Sequence, residues 1–199
     1  MNNPSFRSGF VSLIGRPNVG KSTLLNQLAG IRLAITSPKP QTTRQVVRAI
    51  IDQDDSQIIF LDTPGMHKPR TKLGEYMVSA ASKALADGDI ILLLVDAEKA
   101  TGEKAIQGVP AIEAELLEKA ARMKKPVILV LNKVDKIAKE ALLPLMAAYA
   151  SAFEFVAIVP LSAKTGDGLD VLVSEIRKRL PEGPRYYPLD SLTDQTERD

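Results

Sequence analysis

Eight consecutive residues constrain this chain more than any other feature. Gly15-Arg16-Pro17-Asn18-Val19-Gly20-Lys21-Ser22 fits the pattern G-x-x-x-x-G-K-S. It follows the apolar run Phe10–Ile14 and leads into the helical stretch Ser22–Leu28, so it occupies a strand-to-helix junction. The glycines let the backbone wrap closely around phosphate oxygens with N–H groups pointing inward. The following helix adds the positive end of its dipole at the same spot. In this arrangement Lys21 bridges β- and γ-phosphates and the Ser22 hydroxyl binds Mg²⁺. At ordinary residue frequencies the pattern arises by chance in roughly 1% of chains of this length, and the strand–helix context lowers that further. Gly15 through Thr23 are therefore read as a phosphate-binding loop.

The rest of the composition excludes more than it suggests. The chain has 199 residues, 45% hydrophobic and 25% charged, the size and balance of one globular domain with its own core. With no cysteine, a disulfide framework, a thiolate zinc site and a catalytic thiol are all excluded. A single histidine, His67, argues against a multi-histidine metal site. The longest apolar run, Ile90–Val95, is too short to cross a bilayer, and no signal-peptide pattern opens the chain. A net charge of +2 is too mild to imply nucleic-acid binding by itself.

Four apolar runs without polar alternation predict buried strands: Phe10–Ile14, Ile58–Leu61, Ile90–Val95 and Val127–Leu131, with Phe155–Val159 a weaker fifth. Val46–Ile51 predicts an edge strand joined to Ile58–Leu61 by the polar turn Asp52–Ser56. Helical spacing links Leu73, Tyr76, Met77, Ala80 and Ala84, then Leu142, Leu145, Met146 and Tyr149, then Leu169, Leu172, Val173, Ile176 and Leu180. Pro144 is expected in the first turn of its helix. Strands alternating with helices predict a doubly wound α/β sheet. From Pro181 onward, prolines and polar residues predict a linker.

Three further segments follow strands in order. Asp62-Thr63-Pro64-Gly65 ends Ile58–Leu61, where Asp62 can hold the hydration shell of Mg²⁺ and the Gly65 N–H can turn toward a γ-phosphate. Asn132-Lys133-Val134-Asp135 ends Val127–Leu131. The Asp135 carboxylate can accept from guanine N1–H and the exocyclic amine, a pair adenine lacks, which discriminates by about 10⁴-fold or more. Lys133 would lay its stem over the ring, and Asn132 would tie this loop to the phosphate loop. Ser162-Ala163-Lys164 follows the weak strand, with the Ala163 N–H expected at guanine O6 and Lys164 over the ring.

These segments, in this order, resemble the translation-factor-related class of GTPases over residues 8 to 180. The resemblance implies a three-layer, mainly parallel six-stranded sheet with one antiparallel edge strand, five helices and two nucleotide-sensitive loops, with GTP or GDP and Mg²⁺ as cofactors. It also implies a threonine that reaches Mg²⁺ in the GTP state. Thr42 and Thr43 are the candidates, and Thr43 is favoured because it directly precedes Arg44.

Three stretches narrow the resemblance to Era-type GTPases: Pro38-Lys39-Pro40-Gln41-Thr42-Thr43-Arg44, Asp62 through Pro69, and Pro181-Glu182-Gly183-Pro184-Arg185-Tyr186-Tyr187-Pro188. The organisation expected from this is a GTPase domain over residues 1–180 and a linker over 181–199, without the KH-type RNA-binding domain that such proteins carry. The partners it implies for a full-length protein are 16S ribosomal RNA and the small ribosomal subunit during its assembly. It implies a cytoplasmic location, admits peripheral contact with the inner membrane, and leaves the isolated domain monomeric. Lys21, Thr43, Gly65 and Asn18 are the expected catalytic set, with Ser22, Thr43 and Asp62 as metal ligands and Thr63, Pro64 and Met66 beside the nucleotide. Met66 stands where Ras-type enzymes carry a water-orienting glutamine, which predicts slow turnover. Asn18 matches an asparagine that helps hold K⁺ in potassium-activated relatives. His67, the basic cluster Lys119, Arg122, Lys124 and Lys125, and the run Arg177–Arg179 are read as surface and helix-end charges.

Overall fold

The computed structural model describes residues 5–31, 46–62, 85–101, 109 and 111–188. The expected helix from Leu73 to Ala84, His67 and the loop with Thr42 and Thr43 lie outside them. Six strands form one sheet: β1 (Arg7–Gly15), β2 (Val46–Asp52), β3 (Ser56–Asp62), β4 (Ile90–Asp96), β5 (Val127–Asn132) and β6 (Ala157–Pro160). Their order across the sheet is β2-β3-β1-β4-β5-β6. All neighbours are parallel except β2 and β3, so the edge strand is antiparallel as expected. The helical elements are α1 (Lys21–Ile31), the single turn α2 (Ala97–Ala100), α3 (Ala111–Arg122), α4 (Lys139–Ala152) and α5 (Leu169–Arg179).

The missing polar alternation has its cause in burial on both faces. In β4, Ile90, Leu92 and Leu94 join one core cluster while Ile91, Leu93 and Val95 join the other. Strand β5 divides the same way, Ile128 and Val130 against Val127, Leu129 and Leu131. Leu24 and Leu28 of α1, with Leu172 and Ile176 of α5, cover the first face. Leu117 and Ala120 of α3, with Leu145 and Tyr149 of α4, cover the second. Parallel strands sandwiched in this way have no solvent-facing side to hold polar residues.

Two expectations need correction. Pro144 lies well inside α4, beyond its first turn, because the helix starts at Lys139. Proline removes the hydrogen bond to the Glu140 carbonyl there. Both residues are exposed, so water can satisfy that oxygen. The strand expected at Phe155–Val159 starts only at Ala157. Phe155 instead packs its ring 4.9 Å from Phe153 and 6.5 Å from Tyr149, centroid to centroid.

Residues 181–188 lie along the end of the sheet where the parallel strands begin. The Gln57 side chain, fully buried, accepts from the Tyr186 and Tyr187 N–H groups at 2.9 and 3.0 Å. It donates to Asp52 Oδ1 at 2.8 Å and to the Tyr187 carbonyl at 2.9 Å. All four positions of the amide are thus used. Ser8 Oγ donates to the Pro184 carbonyl at 2.6 Å, and Tyr186 packs 5.0 Å from Phe10. Among the described residues no helix is long and apolar enough to cross a membrane.

Leu93 is completely buried in the second core cluster. Leu93→Ala is expected to destabilise the fold by about 3 kcal/mol, read as a lower urea midpoint at unchanged slope.

Candidate functional site

The loop residues 15–20 leave β1 and enter α1 through conformations that only some residues tolerate. Gly20 has φ +100°, and a Cβ there would sit on top of Asn132 Nδ2. A Cβ on Gly15 would come within 2.6 Å of the Leu94 carbonyl. Asn18 has φ +64°, a left-handed conformation that asparagine adopts more readily than most residues. The first intrahelical bond runs from Leu24 N–H to the Gly20 carbonyl at 2.9 Å. The N–H groups of the first turn, at Lys21, Ser22 and Thr23, therefore belong to no helical bond and line a positive helix end. Lys21 Nζ reaches back over this loop to the Gly15 and Arg16 carbonyls, both at 2.7 Å.

Asn132, at the end of β5 and 2% exposed, fastens three loops together. Its Nδ2 donates to the Val19 carbonyl at 2.8 Å, which realises the expected tie to the phosphate loop. Its Oδ1 accepts from Lys133 N–H at 2.8 Å and Ala163 N–H at 2.9 Å. Two backbone bonds reinforce the second tie: Leu161 N–H to the Leu131 carbonyl at 2.9 Å and Val134 N–H to the Leu161 carbonyl at 3.3 Å. Lys133 turns through φ +68° and sends its Nζ to the Asn18 carbonyl at 2.9 Å and to Asp96 Oδ2 at 2.6 Å.

Asp96 was not legible as a site residue. It is 3% exposed, ends β4, and caps α2 by accepting from the N–H groups of Glu98 and Lys99. Its sequence signal is an aspartate closing an apolar strand just before a helix start. Arg16 also has a partner that spacing alone could not reveal. Its Nε lies 2.7 Å from the Glu113 carboxylate on α3.

Two expected residues have other uses here. The Ala163 N–H, expected at guanine O6, is spent on Asn132 Oδ1 because the β5–β6 pairing brings that oxygen beneath it. The next N–H, that of the exposed Lys164, makes no hydrogen bond among the described residues. Ser162 is buried, and its Oγ accepts from Thr165 N–H at 3.2 Å, so it shapes the loop. Asp135 is exposed on the single 3-10 turn Val134–Lys136, with no hydrogen bond or ion pair among the described residues.

Asp62 ends β3, one strand over from the phosphate loop: Ser12 of β1 pairs with Leu61. Thr43, Thr63, Pro64, Gly65 and Met66 lie outside the described residues. The structure thus brings Gly15 through Thr23, Asn132 through Asp135 and Ser162 through Lys164 to one edge of the sheet. Backbone N–H groups outside the helix ladder, the Lys21 ammonium and the exposed Asp135 carboxylate are the groups this edge offers to a ligand.

The sequence profile of a family described as "50S ribosome-binding GTPase" matches residues 10–133. The chain belongs to that GTPase family. The match ends before Asp135, and longer likenesses cover the remainder. The chain is 50% identical over 198 residues to GTPase Era of Geobacter metallireducens, covering 100% of this chain and 64% of that protein. It is 47% identical over 194 residues to GTPase Era of Ruminiclostridium cellulolyticum, covering 98% and 62%. The crystal structure of Era in complex with MgGDPNP and nucleotides 1506–1542 of 16S ribosomal RNA superposes with a TM-score of 0.71 at 41% identity. An Aquifex aeolicus Era variant bound to GDP·AlF4⁻ superposes with a TM-score of 0.70 at 41% identity. Both structural likenesses cover 95% of this chain and 62% of the other. The chain therefore spans somewhat under two thirds of the relatives it matches, which are Era-type GTPases.

Removing the Asn132 amide leaves the buried Ala163 N–H and the Val19 carbonyl unsatisfied at once. Asn132→Ala is expected to cost about 3 kcal/mol in chemical denaturation. Gly20→Ala should lose much of the same stability, because its Cβ displaces that amide.

Proposed function

We propose that the chain is the guanine-nucleotide module of an Era-type factor, binding GTP and hydrolysing it slowly to GDP and phosphate. The observation that carries this reading is the Asn132 lock, which holds the phosphate loop and both base-side loops in one cluster. In this reading the phosphates lie in the cradle of residues 15–22, with Lys21 exchanging its hold on two loop carbonyls for phosphate oxygens. The Asp135 carboxylate accepts from guanine N1–H and its amine. The Lys164 N–H, rather than that of Ala163, donates to O6.

The donors offered to a metal are all oxygens: the Ser22 hydroxyl, Asp62 and one of the two threonines, favouring Thr43. Such a sparse, hard set suits Mg²⁺, which keeps most of its waters and borrows phosphate oxygens. Bound there, Mg²⁺ would neutralise charge on the β- and γ-phosphates. Gly65 is assigned the γ-phosphate contact that is lost on hydrolysis. Asn18, already in the loop's left-handed turn, is assigned a hold on K⁺.

The likeness to a protein crystallised with a 16S ribosomal RNA fragment supports 16S ribosomal RNA and small-subunit assembly as the setting of the full-length protein. The family description names the large subunit. The small-subunit reading is preferred because the Era likenesses extend over nearly the whole chain. A cytoplasmic location belongs to the same reading.

Calorimetric titration in Mg²⁺ and KCl should give micromolar binding of GDP and GTP and none of ATP. Asp135→Asn should move the preference from guanine toward xanthine nucleotides. Equal binding of ATP would defeat the base assignment. Single-turnover decay of bound GTP should run on the order of 10⁻⁴ s⁻¹, as for unassisted Ras, because Met66 cannot orient water. It should run faster in KCl than in NaCl. Decay no faster than free GTP would leave a binding module only, and equal rates in the two salts would remove Asn18 from the catalytic set.

A further inference from the structure

Strand β4 runs between β1, which delivers the phosphate loop, and β5, which delivers Asn132 through Asp135. Its last residue, Asp96, pairs in register with Asn132 and is 3% exposed. The two carboxylate oxygens have different partners. Oδ1 accepts from the Glu98 and Lys99 N–H groups at 3.1 and 3.4 Å, capping the single turn α2. Oδ2 accepts from Lys133 Nζ at 2.6 Å. A cap needs one oxygen and no charge, since asparagine caps a helix as well as aspartate does. The second oxygen and the charge therefore serve Lys133.

Lys133 leaves a backbone held at φ +68°, and its Nζ also donates to the Asn18 carbonyl at 2.9 Å. The side chain is thus fixed at both ends, at its Cα beside Asn132 and at its Nζ on the phosphate loop. The aliphatic stem between them bridges the base-side loop and the phosphate loop. A lysine stem in open solvent samples many rotamers, and fixing it on binding costs entropy. Here that ordering is complete before any ligand arrives. A second ion pair joins α2 to the turn that carries Asp135, Lys136 with Glu98 at 3.2 Å, but both partners are half exposed and it contributes little. Without the Asp96 charge, the Lys133 ammonium would keep one neutral carbonyl, for which water competes.

We propose that Asp96 is a positioning residue for nucleotide binding. By holding the Lys133 ammonium against the Asn18 carbonyl, it presets the Lys133 stem as a wall over the purine ring and slows escape of the bound nucleotide. The proposal rests on the guanine-nucleotide reading.

Asp96→Asn keeps a capping oxygen and the side-chain volume while removing the charge and the acceptor for Nζ. Its GDP dissociation constant should rise about tenfold, because fewer chains carry the wall preset. Stopped-flow release of a fluorescent GDP should show the change in the dissociation rate. Lys133→Met keeps an apolar stem without the ammonium and should weaken GDP to a similar degree. In the Lys133→Met background, Asp96→Asn should then alter the GDP constant by less than about twofold, since the pair acts as a unit. A residue that only caps α2 gives a different pattern: a lower urea midpoint with the GDP constant unchanged, or losses that multiply in the double variant. Either result would overturn the proposal. Should Asp96→Asn not fold, Asp96→Ser, whose hydroxyl also caps, carries the same test. A wild-type chain that binds no GDP defeats the guanine reading and this proposal together. One that binds GDP, with Asp96→Asn binding it equally well, defeats this proposal alone.

Discussion

The candidate site depends on one buried side-chain amide. Asn132 donates to the Val19 carbonyl and accepts from Lys133 and Ala163 N–H groups, so three loops from distant parts of the sequence share one residue. Inside the protein each such bond is strengthened, and each unmade one is costly, because water cannot substitute. Gly20 is required for the same reason, since its missing Cβ is the space the amide fills. The loop of residues 15–22 and the loops of residues 132–135 and 162–164 are therefore not independent modules. Shifting any one of them disturbs the hydrogen bonds of the others.

Around that lock, a second layer of charge fixes the backbone. Asp96 holds Lys133 Nζ, which also reaches the Asn18 carbonyl, while Arg16 is held by Glu113. The two pairs tie the phosphate loop to β4 and to α3. Each has one partner nearly fully buried, so it is less screened by solvent than the exposed pairs on α3. Those exposed pairs, Lys119–Glu115 and Arg122–Glu118, lie on the helix surface and contribute little.

The sheet separates two kinds of work by its two ends. Parallel strands deliver their C-terminal ends to one edge, beside the loops of residues 15–20, 132–135 and 162–164. At the opposite end, residues 181–188 are held along β1 and the β2–β3 turn by Gln57, Ser8 and Arg185. The β2–β3 hairpin reaches both ends, since Val46 and Asp62 pair near the site while Asp52 and Gln57 pair beneath the segment 181–188.

The residues by themselves determined the strand set, the antiparallel edge and the order of the loops. Apolar runs such as Ile90–Val95 and Val127–Leu131 can be buried only on both faces, and G-x-x-x-x-G-K-S has few backbone solutions. Local patterns were weaker where local forces are weak. The start of β6 was set by packing of the Phe153, Phe155 and Tyr149 rings, and the start of α4 placed Pro144 inside a helix whose exposed side tolerates it. What only the tertiary structure decided was pairing across sequence distance. Asp96 with Lys133, Arg16 with Glu113, Gln57 with Tyr186 and Tyr187, and the Ala163 N–H with Asn132 carry no periodicity or spacing to announce them. Each exists because the sheet order puts strand ends side by side, and a buried polar group must then find its partner among whatever lies next to it.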